Sequence, residues 1–289
     1  MDSIVLKNKA PDGELLEATY LPSAGLNLIS YKKGSLEIID QSTRTQFEER
    51  FGGLGPLIGP HFHRRTVIPA LKDESVFPHI AHTKAHGSND PFSHGVGRYA
   101  PWKVEHTDTQ IKGVLTGKDE WNGIPLASLE GQNFKMTYQA DLRSTGLHIE
   151  MSVVSDTDSV IGLHYYYHLP HGTGKVISEI QDYYLENGKR KPLDSTWNIK
   201  DRHHMEFDLK NKADYTFHPF PNPLDSKILL DAGTYRLMTR YSCQSQENSW
   251  QLFHPENASF VCIEPLSAQD PRHPNLTVSS LKIQLEILN

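Results

Sequence analysis

The chain has 289 residues, 22% of them charged and 37% apolar, a composition that describes a folded globular protein and excludes a disordered one. Its 29 Lys and Arg against 35 Asp and Glu give a net charge of −6 with histidine neutral, so no basic footprint for nucleic acid or an anionic membrane is present. No apolar run approaches the ~18 residues of a membrane span, and the N-terminus Met-Asp-Ser-Ile-Val-Leu-Lys-Asn lacks both the basic and the apolar region of a secretion signal, so a cytoplasmic location is expected.

In chain order, the first helical signal is Ser42 to Phe51, a Ser or Thr cap followed by Gln46, Glu48 and Glu49 and closed by Gly52-Gly53. His61-Phe62-His63 would project two imidazoles to one side of a strand. Pro69 to Phe92, punctuated by Pro69, Pro78 and Pro91, reads as a long loop and a candidate rim or lid. It runs into His94-Gly95-Val96-Gly97-Arg98-Tyr99-Ala100-Pro101-Trp102. That stretch combines a histidine that titrates near neutrality, an arginine with a planar fork of donors, and glycines that let backbone approach a ligand. Taken alone, a histidine beside a glycine is more often a turn residue than a catalyst, so His94 needs partners elsewhere in the chain.

Period-two alternation dominates the rest. Phe134, Met136, Tyr138, Ala140 and Leu142, then Leu147, Ile149, Met151 and Val153 after Arg143-Ser144-Thr145-Gly146, predict a long hairpin with one face buried. Further strands are expected at Val160 to Leu169, Lys227 to Leu230, Thr234 to Tyr241 and Phe260 to Ile263, and Leu281, Ile283, Leu285 and Ile287 close the chain on a half-buried strand. Many strands, frequent Gly/Pro turns and little helix predict an all-β fold, a large antiparallel sandwich or barrel-like architecture. Domains of this kind reach ~200–250 residues as one unit, so residues 1–289 are taken as a single domain. Oligomeric state leaves no trace in the composition.

For chemistry, HExxH, GxSxG, GxGxxG and the P-loop are absent, and Cys243 and Cys262 form no CxxC pair, so neither a metal nor a nucleotide cofactor is expected. Acid and base groups remain. In Ile161-Gly162-Leu163-His164-Tyr165-Tyr166-Tyr167-His168, the even-numbered His164, Tyr166 and His168 share a face, which is either a polar pocket floor or a row of amphipathic rings half buried on a sheet. Glu264 ends the apolar run Phe260-Val261-Cys262-Ile263 and precedes Pro265. Such a carboxylate is either a desolvated group tuned toward a general base or an exposed strand end.

Taken together, Gly59-Pro60-His61-Phe62-His63-Arg64-Arg65, His94 to Trp102, Leu163-His164-Tyr165-Tyr166-Tyr167 and Val261-Cys262-Ile263-Glu264-Pro265 resemble, in order, the aldose 1-epimerase or galactose mutarotase superfamily. The resemblance implies the galactose mutarotase-like β-sandwich and cofactor-free exchange of sugar anomers in an open cleft, with a small-molecule sugar or sugar phosphate as partner. Carried over by position, it implies that His164 is the general acid on the ring oxygen, Glu264 the general base on the anomeric hydroxyl, and His94 a second active-site histidine. Arg64 and Arg98 would contact the sugar, Arg98 in a His-Gly-x-x-Arg form like that of the hexose-6-phosphate mutarotase branch. An acidic partner for the hydroxyls is expected several tens of residues before Glu264, Asp214 first and Asp201 second. Trp102 and Tyr166 would stack on the sugar or belong to the core. The chain departs from the galactose form at Val96, where a second glycine is usual, and at His63, where asparagine is usual, and it lacks the arginine-glycine-glycine of the phosphosugar branch. Two rival readings stay open: a carbohydrate-binding protein without turnover, and a metal protein built on His61 and His63.

Overall fold

The computed structural model describes residues 2–63, 71 and 73–288. Strands dominate. A four-stranded antiparallel sheet, Ile4–Lys9, Leu15–Leu21, Asn27–Lys33 and Leu36–Glu37, opens the chain. The remaining strands build two larger antiparallel layers. One runs through Gln110–Thr116, Phe134–Arg143, Gly146–Ser159, Leu276–Leu288, Arg236–Cys243 and Asp225–Asp231. The other runs through Leu57–Ile58, Gly162–Leu163, Phe260–Leu266, Ser249–His254 and Ala213–Pro219. The strand Lys175–Glu186 belongs to both: Lys175 to Ser178 pair with Asp225–Asp231, and Ile180 to Leu185 with Ala213–Pro219.

The alternation that predicts the hairpin is the alternation that builds the core. Met136, Tyr138, Ala140, Leu142, Leu147, Ile149, Met151 and Val153 are all buried, while Lys135 and Glu150 between them are exposed. Two of the hairpin's neighbours in this core are bridged through tyrosine hydroxyls, the polar tip that a buried phenol brings with it. Tyr138 meets Tyr20 of the first sheet at 3.0 Å and Tyr165 of the cleft-bearing layer at 3.3 Å, so one bonded row ties all layers together.

Local differences from expectation have identifiable causes. The helix Arg44–Arg50 is preceded by a 3-10 turn, Gln41–Thr43, whose start is capped by Asp40 accepting from the Ser42 amide at 2.8 Å. It ends on Phe51 itself, at φ 58°, rather than on the glycines after it. Pro69 to Phe92 is not a bare loop: it holds the 3-10 turn Glu74–Val76 and the helix His79–Ala85, which starts after Pro78. At that position the missing proline N–H would have no helical acceptor. The strand expected over Val160 to Leu169 is divided into Gly162–Leu163 and Tyr166–His168. Pro265, which has no N–H for the ladder, falls opposite Leu163, the last residue before the break. Among the described residues, no helix is long and apolar enough to cross a membrane.

Candidate active site

The second layer presents a polar face to a cleft of about 370 Å³. Register explains which residues reach it. Asp214 pairs with Phe253 and Thr216 with Gln251; Phe253 pairs in turn with Cys262 and Gln251 with Glu264; Cys262 pairs with Tyr166. The pairings Tyr166 with Cys262 and Gly162 with Leu266 set His164 opposite Glu264. Side chains alternate across a strand, so this whole set shares one face. The other face, with Phe217, Trp250, Leu252, Val261, Ile263 and Tyr165, is core.

The strand Phe260–Leu266 carries Glu264 inside the sheet, not at its end. The carboxylate is 1% exposed, and its Oε1 stands 3.4 Å from His164 Nε2. The His164 ring stacks on Tyr166 at 5.1 Å and 18°, and meets His94 at 5.1 Å. Tyr166 thus lines the cleft and supports the ring of His164. His168, which shares its parity, lies 3.7 Å from Asp40 and outside the cleft lining.

The His94 to Arg98 segment forms an adjoining wall. His94 takes φ 68° and Gly95 φ 88°, and a Cβ on Gly95 would stand 2.1 Å from the Gly59 carbonyl oxygen, so this crossing requires glycine. Gly59 N donates to His94 O at 2.8 Å and Gly97 N to Gly59 O at 3.0 Å. Beneath them the fully buried Glu130 clamps both segments, bonding His61 Nδ1 with one oxygen and accepting from the Val96 amide at 3.1 Å with the other.

Arg98, which is 5% exposed, is the buried cation of the cleft wall. Burial drives both His94 and His164 well below the ordinary imidazole value, and the Arg98 charge pushes each further down. Burial raises Glu264 well above the usual carboxylate range; Arg98 opposes that rise and Asp214 adds to it. His94 Nδ1, His164 Nδ1, Glu264 Oε2 and Arg98 Nε and Nη2 are buried without a hydrogen bond. Unsatisfied groups of this kind are costly in a core, and their concentration in an open cleft is the signature of a site built for a polar ligand.

His94, Arg98, His164, Tyr166, Asp214 and Glu264 therefore line one cleft. Trp102 does not. Its ring is 5% exposed and its Nε1 donates to Gly97 O at 2.9 Å, which makes it a packing residue behind the wall. Asp201 sits exposed in a turn away from the cleft, and Arg64 lies outside the described residues. His61 and His63 do not share a strand face: His61 is buried on Glu130 and His63 is exposed. Among the described residues, the side chains close enough to share a cation are instead His164, Cys262 and Glu264, with ligand atoms within 4.8 Å of one another. Sequence reasoning missed Gln251, Phe253, Arg50 and Arg272, which also line the cleft. Alternation in Trp250-Gln251-Leu252-Phe253 marks the first two; the arginines leave no pattern.

No family model matches the chain, and no curated protein matches it in sequence. Solved structures do match. The GalM/aldose epimerase homologue from C. elegans superposes with a TM-score of 0.67 at 14% identity, covering 100% of both chains. The galactose mutarotase related enzyme from Lactobacillus acidophilus gives 0.64 at 14%, over 99% of this chain and 97% of that one. The Slr1438 protein from Synechocystis sp. PCC 6803 gives 0.66 at 16%, over 99% and 96%. The fold is the galactose mutarotase-like sandwich. Identities this low establish the architecture alone, and within this galactose mutarotase-like sandwich the cleft described above is the place where chemistry must be argued from side chains.

Proposed function

We propose that the chain is a cytoplasmic aldose mutarotase, acting as one domain over residues 1–289, that exchanges α and β anomers by general acid–base ring opening and reclosure. The observation that carries this reading is the pairing of His164 Nε2 and Glu264 Oε1 at 3.4 Å on a cleft floor where burial pushes their proton affinities in opposite directions. Glu264, a strong base because it is desolvated, takes the anomeric hydroxyl proton. His164, a strong acid when protonated because its charge is desolvated, gives its proton to the ring oxygen. The C1–O5 bond breaks and the aldehyde forms. Rotation about the C1–C2 bond and the reverse transfers close the other anomer. Ring opening thus converts the charged pair into neutral His164 and protonated Glu264, and burial favours that neutral pair. His94, Arg98 and Asp214 would hold the sugar hydroxyls.

Exchange between glucose or galactose anomers, measured by NMR with catalytic amounts of protein, should exceed the spontaneous rate. Binding without acceleration would instead establish the carbohydrate-binding reading. The unpartnered Arg98 donors favour a second version in which the substrate carries an anionic group. Faster exchange of glucose 6-phosphate than of glucose would select it.

The pair titrates as a unit, and the working form holds one proton between the two groups. Burial lowers the pH at which a second proton is taken up and raises the pH at which the first is lost. Activity should therefore be flat across a broad window, with its acid limb below the usual imidazole value and its alkaline limb above the usual carboxylate value. The Arg98 charge favours loss of both protons, so Arg98→Met should move both limbs to higher pH in the rate–pH profile of anomer exchange.

A further inference from the structure

The acid–base reading of the cleft floor uses an imidazole and a carboxylate and leaves a third group without a role. Cys262 is a free, fully buried thiol. One ligand atom from each of His164, Cys262 and Glu264 lies within 4.8 Å of the other two, and His164 Nε2 and Glu264 Oε1 are 3.4 Å apart. Strand pairing holds the three together. Cys262 and Glu264 are two residues apart on one face of Phe260–Leu266, and Cys262 pairs with Tyr166, whose ring stacks on His164.

We propose that His164, Cys262 and Glu264 form a binding site for a thiophilic divalent cation, zinc, and that its occupancy silences the acid–base pair. Zinc takes imidazole nitrogen, thiolate sulfur and carboxylate oxygen in a tetrahedron at about 2.0–2.3 Å. In that geometry a nitrogen and an oxygen ligand stand roughly 3.4 Å apart, which is the separation of His164 Nε2 and Glu264 Oε1. A sulfur and an imidazole select zinc over magnesium and calcium, which take oxygen ligands. Binding displaces the thiol proton to solvent, and the thiolate and carboxylate together balance the charge of the ion. The fourth position faces the cleft, which His164 and Glu264 line. Two features make the site reversible rather than structural. His164 Nδ1 has no hydrogen-bond partner, whereas a resident zinc ligand donates its other N–H to a fixed acceptor. The charge of Arg98 acts on all three groups and opposes a cation among them. Zinc is then an inhibitor that occupies the lone pairs of both proton carriers. The inhibition rests on the mutarotase reading; the site itself does not.

Calorimetry of untagged, metal-free, full-length protein with zinc chloride should show a stoichiometric site. Cys262→Ser should weaken it by more than the about 10–100-fold that loss of an outer-shell partner costs, while Cys243→Ser, at the other free cysteine, leaves it unchanged. Cobalt(II) in place of zinc should give the near-ultraviolet thiolate-to-cobalt charge-transfer band in the wild type, a readout that needs no variant to fold, and should lose it in Cys262→Ser and Cys262→Ala. Anomer exchange by the wild type should fall in step with bound zinc and return on adding a chelator. Absence of a stoichiometric zinc site, an affinity that Cys262→Ser leaves unchanged, a cobalt complex without the thiolate band, or exchange that continues at the metal-free rate with zinc bound overturns the proposal. Metal-free protein that never accelerates exchange overturns the mutarotase reading instead, and the calorimetry and the cobalt spectrum then decide the site alone.

Discussion

Glu264→Gln is expected to slow anomer exchange by about 10²–10⁴ while leaving sugar binding in place. The amide keeps the volume of the carboxylate and fills the same position opposite His164, but it cannot take a proton from the anomeric hydroxyl. Stability should hold or rise. The carboxylate is 1% exposed with Oε2 unpartnered, so folding carries a desolvation cost that a neutral side chain reduces. A protein that melts at the same or a higher temperature, binds sugar and no longer accelerates exchange is the expected result. Exchange at the wild-type rate would remove Glu264 from the mechanism.

Glu130→Ala is expected to have the largest effect on stability, although Glu130 lines no part of the cleft. Its two oxygens hold the Val96 amide and His61 Nδ1 in a site where Glu130 is 0% and His61 1% exposed. Removing the carboxylate takes the acceptor from the Val96 amide, breaks the contact with His61 Nδ1 and leaves a cavity. Breaking a buried pair of this type costs about 3–5 kcal/mol, or roughly 10 °C in Tm at the few degrees per kcal/mol of a chain this long. Because Glu130 joins the Gly59–His63 and His94–Arg98 segments, surviving folded protein should also bind sugar more weakly. Thermal melts together with calorimetry at a temperature below the transition would show both losses. A melt within a degree of wild type would mean that the clamp is redundant.

The parts of this molecule most legible in its sequence are those governed by strand alternation. The hairpin from Phe134 to Val153 and the closing stretch from Leu281 to Ile287 are readable because their inward residues are apolar and their outward ones polar. Glu264 was readable because a carboxylate after four apolar residues is conspicuous, although its strand continues through Pro265 to Leu266. Placing Asp214 rather than Asp201 at the cleft depends on pairing between strands distant in sequence, which no local pattern carries. Trp102 shows the opposite failure. Its neighbours belong to the wall, but the 3-10 turn Val96–Arg98 sends the chain inward, so the ring packs behind its own segment. The helix His79–Ala85 was hidden by prolines read as breakers. What holds it is tertiary: His79 stacks on Trp121 at 5.7 Å and 7°, and its Nε2 meets Pro91 O at 2.9 Å.

The cleft floor and the core are opposite faces of the same strands, which has a consequence for how this protein can change. On Phe260–Leu266 the even positions Cys262 and Glu264 meet the ligand side and the odd positions Val261 and Ile263 the interior; on Ser249–His254 the parity is reversed. Substitutions at Asp214, Gln251 and Phe253 alter what the cleft contacts, while the neighbours that hold the sheet in place stay untouched. Substrate preference can therefore drift, or be selected in a library confined to those positions, largely without crossing the stability threshold that limits most enzymes. Alternation along the strand separates innovation from folding, one residue at a time.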